Sequence, residues 1–236
     1  MSEQFLKETK MLNYHSPAIQ ELIDSRKWHK LNEYSKIKSI YEFVQNEILF
    51  GYNCSDTLTA EQVLLDGYGQ CNTKATLLMA LLRAVGIPCR IHGFEVSKYF
   101  QRGATNVLIS ALAPTQIIHT WAEVFYDGQW LALEGVITDK RYFEAVKAKY
   151  RNIRKEFKRY AIATEDFENL SIEWKGNHTY VQSAAIVTDY GVFVCPDDFF
   201  QEHSQHWSKI KNFMYVHFGR KMMNYNVGKI RNNKDF

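Results

Sequence analysis

The sequence has few residues that break or cross-link a chain: 4 prolines, 12 glycines and 4 cysteines among 236 residues. So little proline and glycine excludes collagen-like and low-complexity segments. The cysteines form no C-x-x-C pair, and their spacings of 17, 18 and 106 residues fit neither a zinc knuckle nor a disulfide scaffold. We therefore expect free thiols at Cys54, Cys71, Cys89 and Cys195.

Long apolar runs are also missing. No stretch approaches the roughly 20 residues that cross a bilayer, and the start, MSEQFLKETK, lacks the apolar core of a secretory signal. These absences predict a cytoplasmic protein with no membrane partner. Apolar residues make up 46% of the chain and charged residues 23%, which is typical of a folded globular protein.

The charge is unevenly placed. Residues 1–139 hold 12 Lys or Arg and 15 Asp or Glu, whereas residues 140–236 hold 17 and 11. This asymmetry is too mild to indicate nucleic acid, and none is expected as a partner. His203 and His206 have a helical spacing that suits a metal, but no third and fourth ligand is evident. We expect no metal and no cofactor.

The apolar pattern predicts helices around a glycine-containing break. Residues 16–51 carry apolar side chains at steps of three and four, which is typical of helices that face a core. After Gly67 and Gly69, a helix that begins at Cys71 is apolar on all sides, so we expect it to be buried. Gly86 and Pro88 end it, and the text CRIHGFEV then predicts a strand.

Two alternating runs, HTWAEVFY and QWLALEGV, flank Asp127-Gly128, the strongest short-range signal of a tight hairpin. A two-residue loop pairs Trp121 with Glu134 and His119 with Val136, and it puts all four on one face. His119 and Glu134 are then diagonal neighbours whose side chains can meet.

Cys71 opens the buried helix, where the helix dipole and free N–H groups stabilise a thiolate. A cysteine is often just a small apolar core residue, and that alternative stands for Cys71 alone. Together with His119 as base and Glu134 as the acid that orients the imidazole, it completes the set for nucleophilic catalysis.

Three segments resemble the transglutaminase-like superfamily: FVQNEILFGY, GYGQCNTKATLLMALLRAVGIPCRIHGF and HTWAEVFYDGQWLALEG. They cover about residues 30–140 and occur in the family's order. The resemblance implies an α+β, papain-like fold in which a central buried helix packs on an antiparallel sheet. It also implies a Cys-His-acid triad.

Carried over position by position, the resemblance makes Cys71 the nucleophile and His119 the general base. The acid position falls on Glu134, where the family usually has Asp. Asp139, beyond the end of the strand, is a weaker alternative acid. Tyr52 and Gln70 are candidates to assist the oxyanion or orient the substrate, with loop packing as their alternative role.

Trp121 shares the face of His119 and is a further candidate to orient substrate, although hairpin packing also explains it. We divide the chain into a core at 1–140, which includes the N-terminal helices, and a C-terminal α/β extension at 141–236. Residues 139–164 are predicted to form an amphipathic helix. Nine Lys or Arg and two Glu lie within 140–159. The last 30 or so residues are predicted to be helical.

The function that these residues predict is cysteine-dependent acyl transfer on an amide bond through a thioester. Water as acceptor would make the protein a peptidase or amidase, and an amine would make it a transglutaminase. The expected partner is a peptide or another amide-containing substrate. The alternative is a weakly active or inactive module that binds a peptide or an acidic partner through the basic helix.

Overall fold

A computed structural model describes residues 3–105, 114–204 and 208–234. In these ranges the α-helices are α1 Pro17–Arg26, α2 Glu33–Asn46, α3 Ala60–Asp66, α4 Cys71–Ala84, α5 Lys140–Lys149, α6 Pro196–Glu202, α7 Lys209–Met214 and α8 Arg220–Arg231. The strands are β1 Leu49–Phe50, β2 Tyr68–Gly69, β3 Cys89–Ser97, β4 Gln116–Tyr126, β5 Gln129–Ala132, β6 Phe157–Arg159, β7 Ile162–Thr164 and β8 Ile186–Phe193.

Helix α4 is the centre of the molecule. Every residue from Asn72 to Arg83 is buried, because α2 and α3 cover one side of the helix and β4 the other. The helix ends as predicted: Gly86 adopts a φ of +81°, and the N–H of Ile87 donates to the carbonyl of Leu82 at 2.9 Å. The predicted buried helix on an antiparallel sheet is confirmed.

The main sheet has the order β5-β4-β3-β8, with antiparallel neighbours throughout. The β4–β5 turn is the predicted one. Asp127 and Gly128 both have positive φ angles, of +50° and +78°, as a type I′ turn requires. Phe125 consequently pairs with Trp130. Strand β4 lies between β3 and β5 and carries His119.

The predicted hairpin is too long. Strand β5 ends at Ala132, and Glu134–Val136 forms a 3-10 turn, so the strand pairs Trp121–Glu134 and His119–Val136 do not form. Leu133 still donates its N–H to the carbonyl of Ala122 in β4 at 2.9 Å, and the chain then turns. On the opposite edge of β5, Thr179 donates its N–H to the carbonyl of Ala132 at 2.9 Å and accepts the N–H of Glu134 at 3.0 Å. Backbone up to 47 residues away in sequence thus holds the end of β5 and Glu134 from the side that faces away from β4.

The predicted helix at 139–164 is also wrong beyond its first ten residues. Helix α5 ends at Lys149, and β6 and β7 follow as a small hairpin. Tyr160 and Ala161, with φ angles of +53° and +55°, form its turn. Of the apolar residues in the predicted helical pattern, Phe143 and Val146 face the core from α5 and Phe157 faces it from β6, whereas Ile153 is exposed. Apolar spacing alone does not distinguish the two cases.

The C-terminal part packs directly on the rest. Strand β8 completes the sheet beside β3, and α8 lies against α5. Residues 208–234 are mainly helical as predicted, with a π-helical turn at Tyr215–Gly219 between α7 and α8. The boundary at residue 140 stays a prediction. Within the described ranges, no helix is both long and apolar enough to span a membrane.

Candidate active site

Cys71 is the first residue of α4 and is half-buried in the wall of a cavity of about 390 Å³. Because it begins a 14-residue helix, its thiol lies where the helix dipole and the unbonded N–H groups favour negative charge. Its Sγ lies 3.6 Å from Oδ1 of Asn72. The cavity wall also includes Tyr52, Asp56, Gln70, Ile118 and Tyr215.

His119 lies on β4 and is fully buried. Its Nε2 lies 2.9 Å from Oε1 of Glu134, whereas Nδ1 makes no hydrogen bond of standard geometry within the described part of the chain. Burial disfavours the imidazolium, but the interactions with Cys71 and then Glu134 outweigh it and raise the pKa of His119 to about 10. With Nε2 held by the carboxylate, Nδ1 is the nitrogen left for the thiol.

The carboxylate of Glu134 has no solvent exposure and uses both oxygens. While Oε1 pairs with His119, Oε2 accepts the backbone N–H groups of Val181 at 2.7 Å and Gln182 at 3.0 Å. Such charge-assisted bonds stabilise a buried carboxylate. No sequence pattern identifies these two donors, because any backbone N–H can serve and they are 47 and 48 residues away from Glu134.

Asp139, the alternative acid, has a different role. It is the N-cap of α5 and accepts the N–H groups of Tyr142 at 2.9 Å and Phe50 at 3.1 Å. Arg231 pairs with it at 2.8 Å. Burial alone would raise the pKa of Asp139, but Arg231 holds that pKa below its usual value. Its described hydrogen bonds lead to α5, β1 and α8, and not to His119.

Tyr52 and Gln70 both line the cavity, but they differ in whether their polar atoms are hydrogen-bonded. The side chain of Gln70 is bonded to the neighbouring loop: its Oε1 accepts the N–H of Asn53 at 2.7 Å, and its Nε2 donates to Asp56 at 2.9 Å. The hydroxyl of Tyr52 is buried without a hydrogen-bond partner among the described residues. Burial and the nearby Cys71 raise the pKa of Tyr52, so its hydroxyl keeps its proton.

Trp121 packs behind the site and is absent from the described cavity wall. Its ring centroid lies 6.0 Å from that of His119 and 4.1 Å from that of Phe94. It is nearly buried, and its indole N–H points to Glu123 at 3.5 Å. Its contacts fix the orientation of β4 side chains and do not place it against a substrate.

Two polar residues that sequence analysis missed connect α4 to β4. The side chain of Asn72 donates to the carbonyl of Ile118 at 3.3 Å and accepts the hydroxyl of Thr120 at 3.0 Å. In the sequence, Asn72 directly follows Cys71 and Thr120 directly follows His119. A polar side chain next to a predicted site residue, within an otherwise apolar segment, is the sequence feature that could have identified them. They hold the thiol and the imidazole in register.

A third residue that the sequence did not single out, Lys74, lies in the first turn of α4. The ammonium of Lys74 is fully buried and donates to the carbonyl of Gln45 at 3.2 Å. Burial lowers the pKa of Lys74 to about 7, although the nearby Asp139 opposes this shift. As for metals, the described ranges contain no group of three or more suitable ligands, and His206 lies outside them.

Comparison with known proteins gave a family match and several distant structural likenesses. Residues 24–135 match the transglutaminase-like superfamily. No curated protein matches the sequence significantly.

One similar solved structure is a candidate cysteine protease from Cytophaga hutchinsonii, with 18% identity, a TM-score of 0.44, and coverage of 82% of this chain and 47% of that one. Another is red sea bream transglutaminase, with 14% identity, a TM-score of 0.35, and coverage of 95% and 41%. This chain thus spans less than half the length of either structure.

Proposed function

Because residues 24–135 of this chain belong to the transglutaminase-like superfamily, we propose that the protein catalyses cysteine-dependent acyl transfer on an amide bond. One observation carries the proposal. A buried line of groups runs from Glu134 through His119 toward Cys71, and only Cys71 of the three lies in the wall of the cavity. A nucleophile open to substrate, backed by a shielded base and acid, is the arrangement that this chemistry needs.

The raised pKa of His119 indicates how the reaction begins. An imidazole with a pKa of about 10 holds a proton at neutral pH, so we place the thiol proton on His119 and a thiolate on Cys71. The thiolate attacks the amide carbonyl, and the oxyanion forms near the N-terminus of α4, where backbone N–H groups are available. The hydroxyl of Tyr52 is a further donor to that oxyanion, since it is protonated and without a described partner.

The later steps, cleavage of the C–N bond and resolution of the thioester, restore the protonation state of the free enzyme. His119 donates its proton to the amide nitrogen as the C–N bond breaks, which releases an amine or ammonia and leaves a thioester on Cys71. It then takes a proton from the attacking water or second amine. This proton stays on His119 and the thiolate of Cys71 leaves as the thioester C–S bond breaks, which restores the starting ion pair. The product is a carboxylic acid with water as acceptor and a new amide with an amine.

The use of Glu134 in place of the family's usual Asp fits the local backbone. The residue lies in a 3-10 turn after β5 has ended, and its longer side chain still reaches His119 at 2.9 Å. Val181 and Gln182 fix the second oxygen. This supports Glu134 as the orienting acid, and it makes the C-terminal extension part of the site.

The binding-module alternative gains no support from the basic stretch at 140–159. Helix α5 contains only its first half. Lys147 donates to the carbonyls of Phe167 and Glu168, and Lys158 pairs with Glu156 and Glu165. The stretch therefore does not present one continuous basic helical face to a partner.

Alkylation of the folded protein by iodoacetamide, followed by mass spectrometry at each cysteine, tests the proposal. Cys54 is exposed and serves as the internal control. We expect Cys71 to react about tenfold faster than Cys54 at neutral pH, because only Cys71 has an imidazolium and a helix N-terminus beside it. Equal or slower reaction of Cys71 would contradict the proposal and leave the binding module as the better explanation.

A substrate screen completes the test. A glutamine-containing peptide mixed with a fluorescent primary amine separates the two acceptors. Both reactions release ammonia, but hydrolysis converts the glutamine to glutamate, whereas cross-linking attaches the fluorescent amine to the peptide. Turnover of any substrate should disappear in Cys71→Ala, while circular dichroism shows an intact fold. Activity that survives this substitution would remove Cys71 from the mechanism.

A further inference from the structure

The exposed side of the C-terminal helices is unusually apolar. The described part of the chain has 13 large hydrophobic side chains that are exposed, and six of them lie between residues 210 and 225. A contiguous exposed patch of this kind marks an interaction surface, whereas single exposed apolar residues do not. We call these six residues the outward face: Ile210, Phe213, Met214, Phe218, Met222 and Tyr225.

The spacing of the outward face follows one side of a helix. Ile210, Met214, Phe218 and Met222 succeed one another at steps of four residues. Steps of four drift around an ordinary α-helix, but the π-helical turn at Tyr215–Gly219 has more residues per turn and offsets this drift. The stripe from Ile210 to Met222 is therefore straight, with a length of about 18 Å at a rise of about 1.5 Å per residue.

The opposite side of the same helices is already occupied. Met223, Val227 and Ile230 are buried against the molecule. Asn224 exchanges hydrogen bonds with the backbone of Tyr52 at 2.6 and 3.1 Å. The segment is thus fixed in its rotation, and the outward face is not free to turn inward.

The charge around the outward face has one sign. Residues 208–234 contain seven Lys or Arg and no Asp or Glu. Two of the seven point inward, since Arg220 donates to the hydroxyl of Tyr68 and Arg231 pairs with Asp139. Lys209, Lys211 and Lys221 are exposed, alternate with the apolar residues, and take part in none of the ion pairs of the described ranges.

We propose that the outward face docks on the surface of an anionic phospholipid membrane. Phe, Ile and Met side chains that insert at the level of the lipid headgroups, with lysines that reach back to the phosphates, are the chemistry of interfacial helices. A second copy of this chain is a poor occupant, because the exposed lysines Lys209, Lys211 and Lys221 of two such faces repel one another. The sequence predicted no membrane partner, so docking of the outward face on a membrane would differ from that expectation. Such docking is independent of the chemistry of Cys71.

Sedimentation of the full chain with lipid vesicles tests this proposal. The probes are vesicles of phosphatidylcholine alone and of phosphatidylcholine with about 30% phosphatidylglycerol. We expect binding to the anionic vesicles, with a loss of at least about tenfold between about 0.05 and 0.5 M NaCl because salt screens the lysines. No binding to anionic vesicles overturns the proposal and favours an acidic groove on a protein.

Two matched pairs of variants locate the binding surface. Phe218→Ser should weaken binding about tenfold, whereas Leu65→Ser, at a side chain exposed to a similar degree (73% against 66%), should not. Replacing Lys209, Lys211 and Lys221 by Gln should abolish the preference for anionic vesicles. The control replaces Lys10, Lys30 and Lys155, which changes the net charge equally.

Equal losses of vesicle binding in the variants and their controls would overturn the proposal, because binding would then depend on net charge or on nonspecific hydrophobic adsorption. Circular dichroism establishes that each variant is folded. Light scattering adds an independent check. A dimer that Phe218→Ser dissociates would show that a second copy covers the outward face, and it would equally overturn membrane docking.

Discussion

Glu134 and His119 are joined at 2.9 Å between Oε1 and Nε2, although β5 ends two residues before Glu134. A strand pairing does not bring them together. A 3-10 turn aims the carboxylate at β4, and the N–H groups of Val181 and Gln182 hold its other oxygen. The relationship therefore depends on three segments that are far apart in sequence.

Glu134→Gln should lower the rate of acyl transfer by about 100-fold or more, because an amide orients an imidazolium poorly and stabilises it less. The carboxylate of Glu134 has two acceptor oxygens, one for His119 and one for the N–H groups of Val181 and Gln182, whereas the amide of Gln has only one. The NH₂ group of the Gln side chain must therefore face either these N–H groups or the His119 ring. We expect the free energy of unfolding to fall by about 1–3 kcal/mol. Kinetics on a screened substrate and urea unfolding measure both effects.

Asp139→Asn is the matched control for that substitution. It changes the alternative acid, whose described hydrogen bonds do not lead to His119. The alkylation rate of Cys71 should stay at the wild-type value in Asp139→Asn and fall in Glu134→Gln. The reverse order would show that the orienting acid has been misassigned.

His119→Gln should reduce the alkylation of Cys71 to the rate of the exposed Cys54 at neutral pH. The pKa of His119 is about 10, so the wild-type ring is cationic below that pH and loses its proton above it. The difference between wild type and variant should thus be largest below about pH 8.5, the reference value of a thiol, and small above about pH 10. A pH-independent ratio would contradict the imidazolium assignment.

Lys74→Met should stabilise the protein most at low pH. Burial lowers the pKa of Lys74 from 10.5 to about 7, so between these values the unfolded chain binds a proton that the folded one does not. Wild-type stability from this group therefore rises with pH from about 7 to about 10.5. Urea unfolding at several pH values should show that the gain in free energy of unfolding from Lys74→Met becomes smaller over that interval. The exposed control Lys30→Met should show no such dependence on pH.

Arg231→Met should destabilise the fold by about 3–5 kcal/mol at pH 7, since it leaves the buried carboxylate of Asp139 without its cation. Arg231 holds the pKa of Asp139 low in the folded protein. The stabilisation from this ion pair is therefore fully present above pH 3.8, the ordinary pKa of an Asp, and it is lost as the pH falls through the lower pKa of the folded protein. The loss should therefore be smaller at acid pH.

A double-mutant cycle provides the check on that pair. Asp139→Asn combined with Arg231→Met should cost less than the sum of the two single changes, because removing both partners leaves no unpaired charge. Urea unfolding of the four proteins at pH 7 gives the coupling energy. Strictly additive losses would mean that the two side chains do not stabilise one another.

Much of the fold was predictable because its signals are local. The run of apolar residues after Cys71 predicts α4, and Asp127-Gly128 predicts the turn between β4 and β5; both are observed. The prediction of a single helix at 139–164 was wrong, although it rested on the same kind of apolar spacing that correctly predicted α4. Apolar spacing reports which side chains face the core, and tertiary packing decides whether a helix or a strand brings them there.

The amino-acid sequence by itself determined the helix that begins at Cys71, the strand that carries His119 and the match of residues 24–135 to the transglutaminase-like superfamily. These depend on neighbours within a turn of helix or across a two-residue loop. Only the tertiary structure decided that Glu134 reaches His119 from outside the strand, that Arg231 occupies Asp139, and which side of α8 faces outward. These contacts join residues up to 172 positions apart in sequence, and the free energy that holds them comes from burial and pairing of side chains that no local pattern brings together.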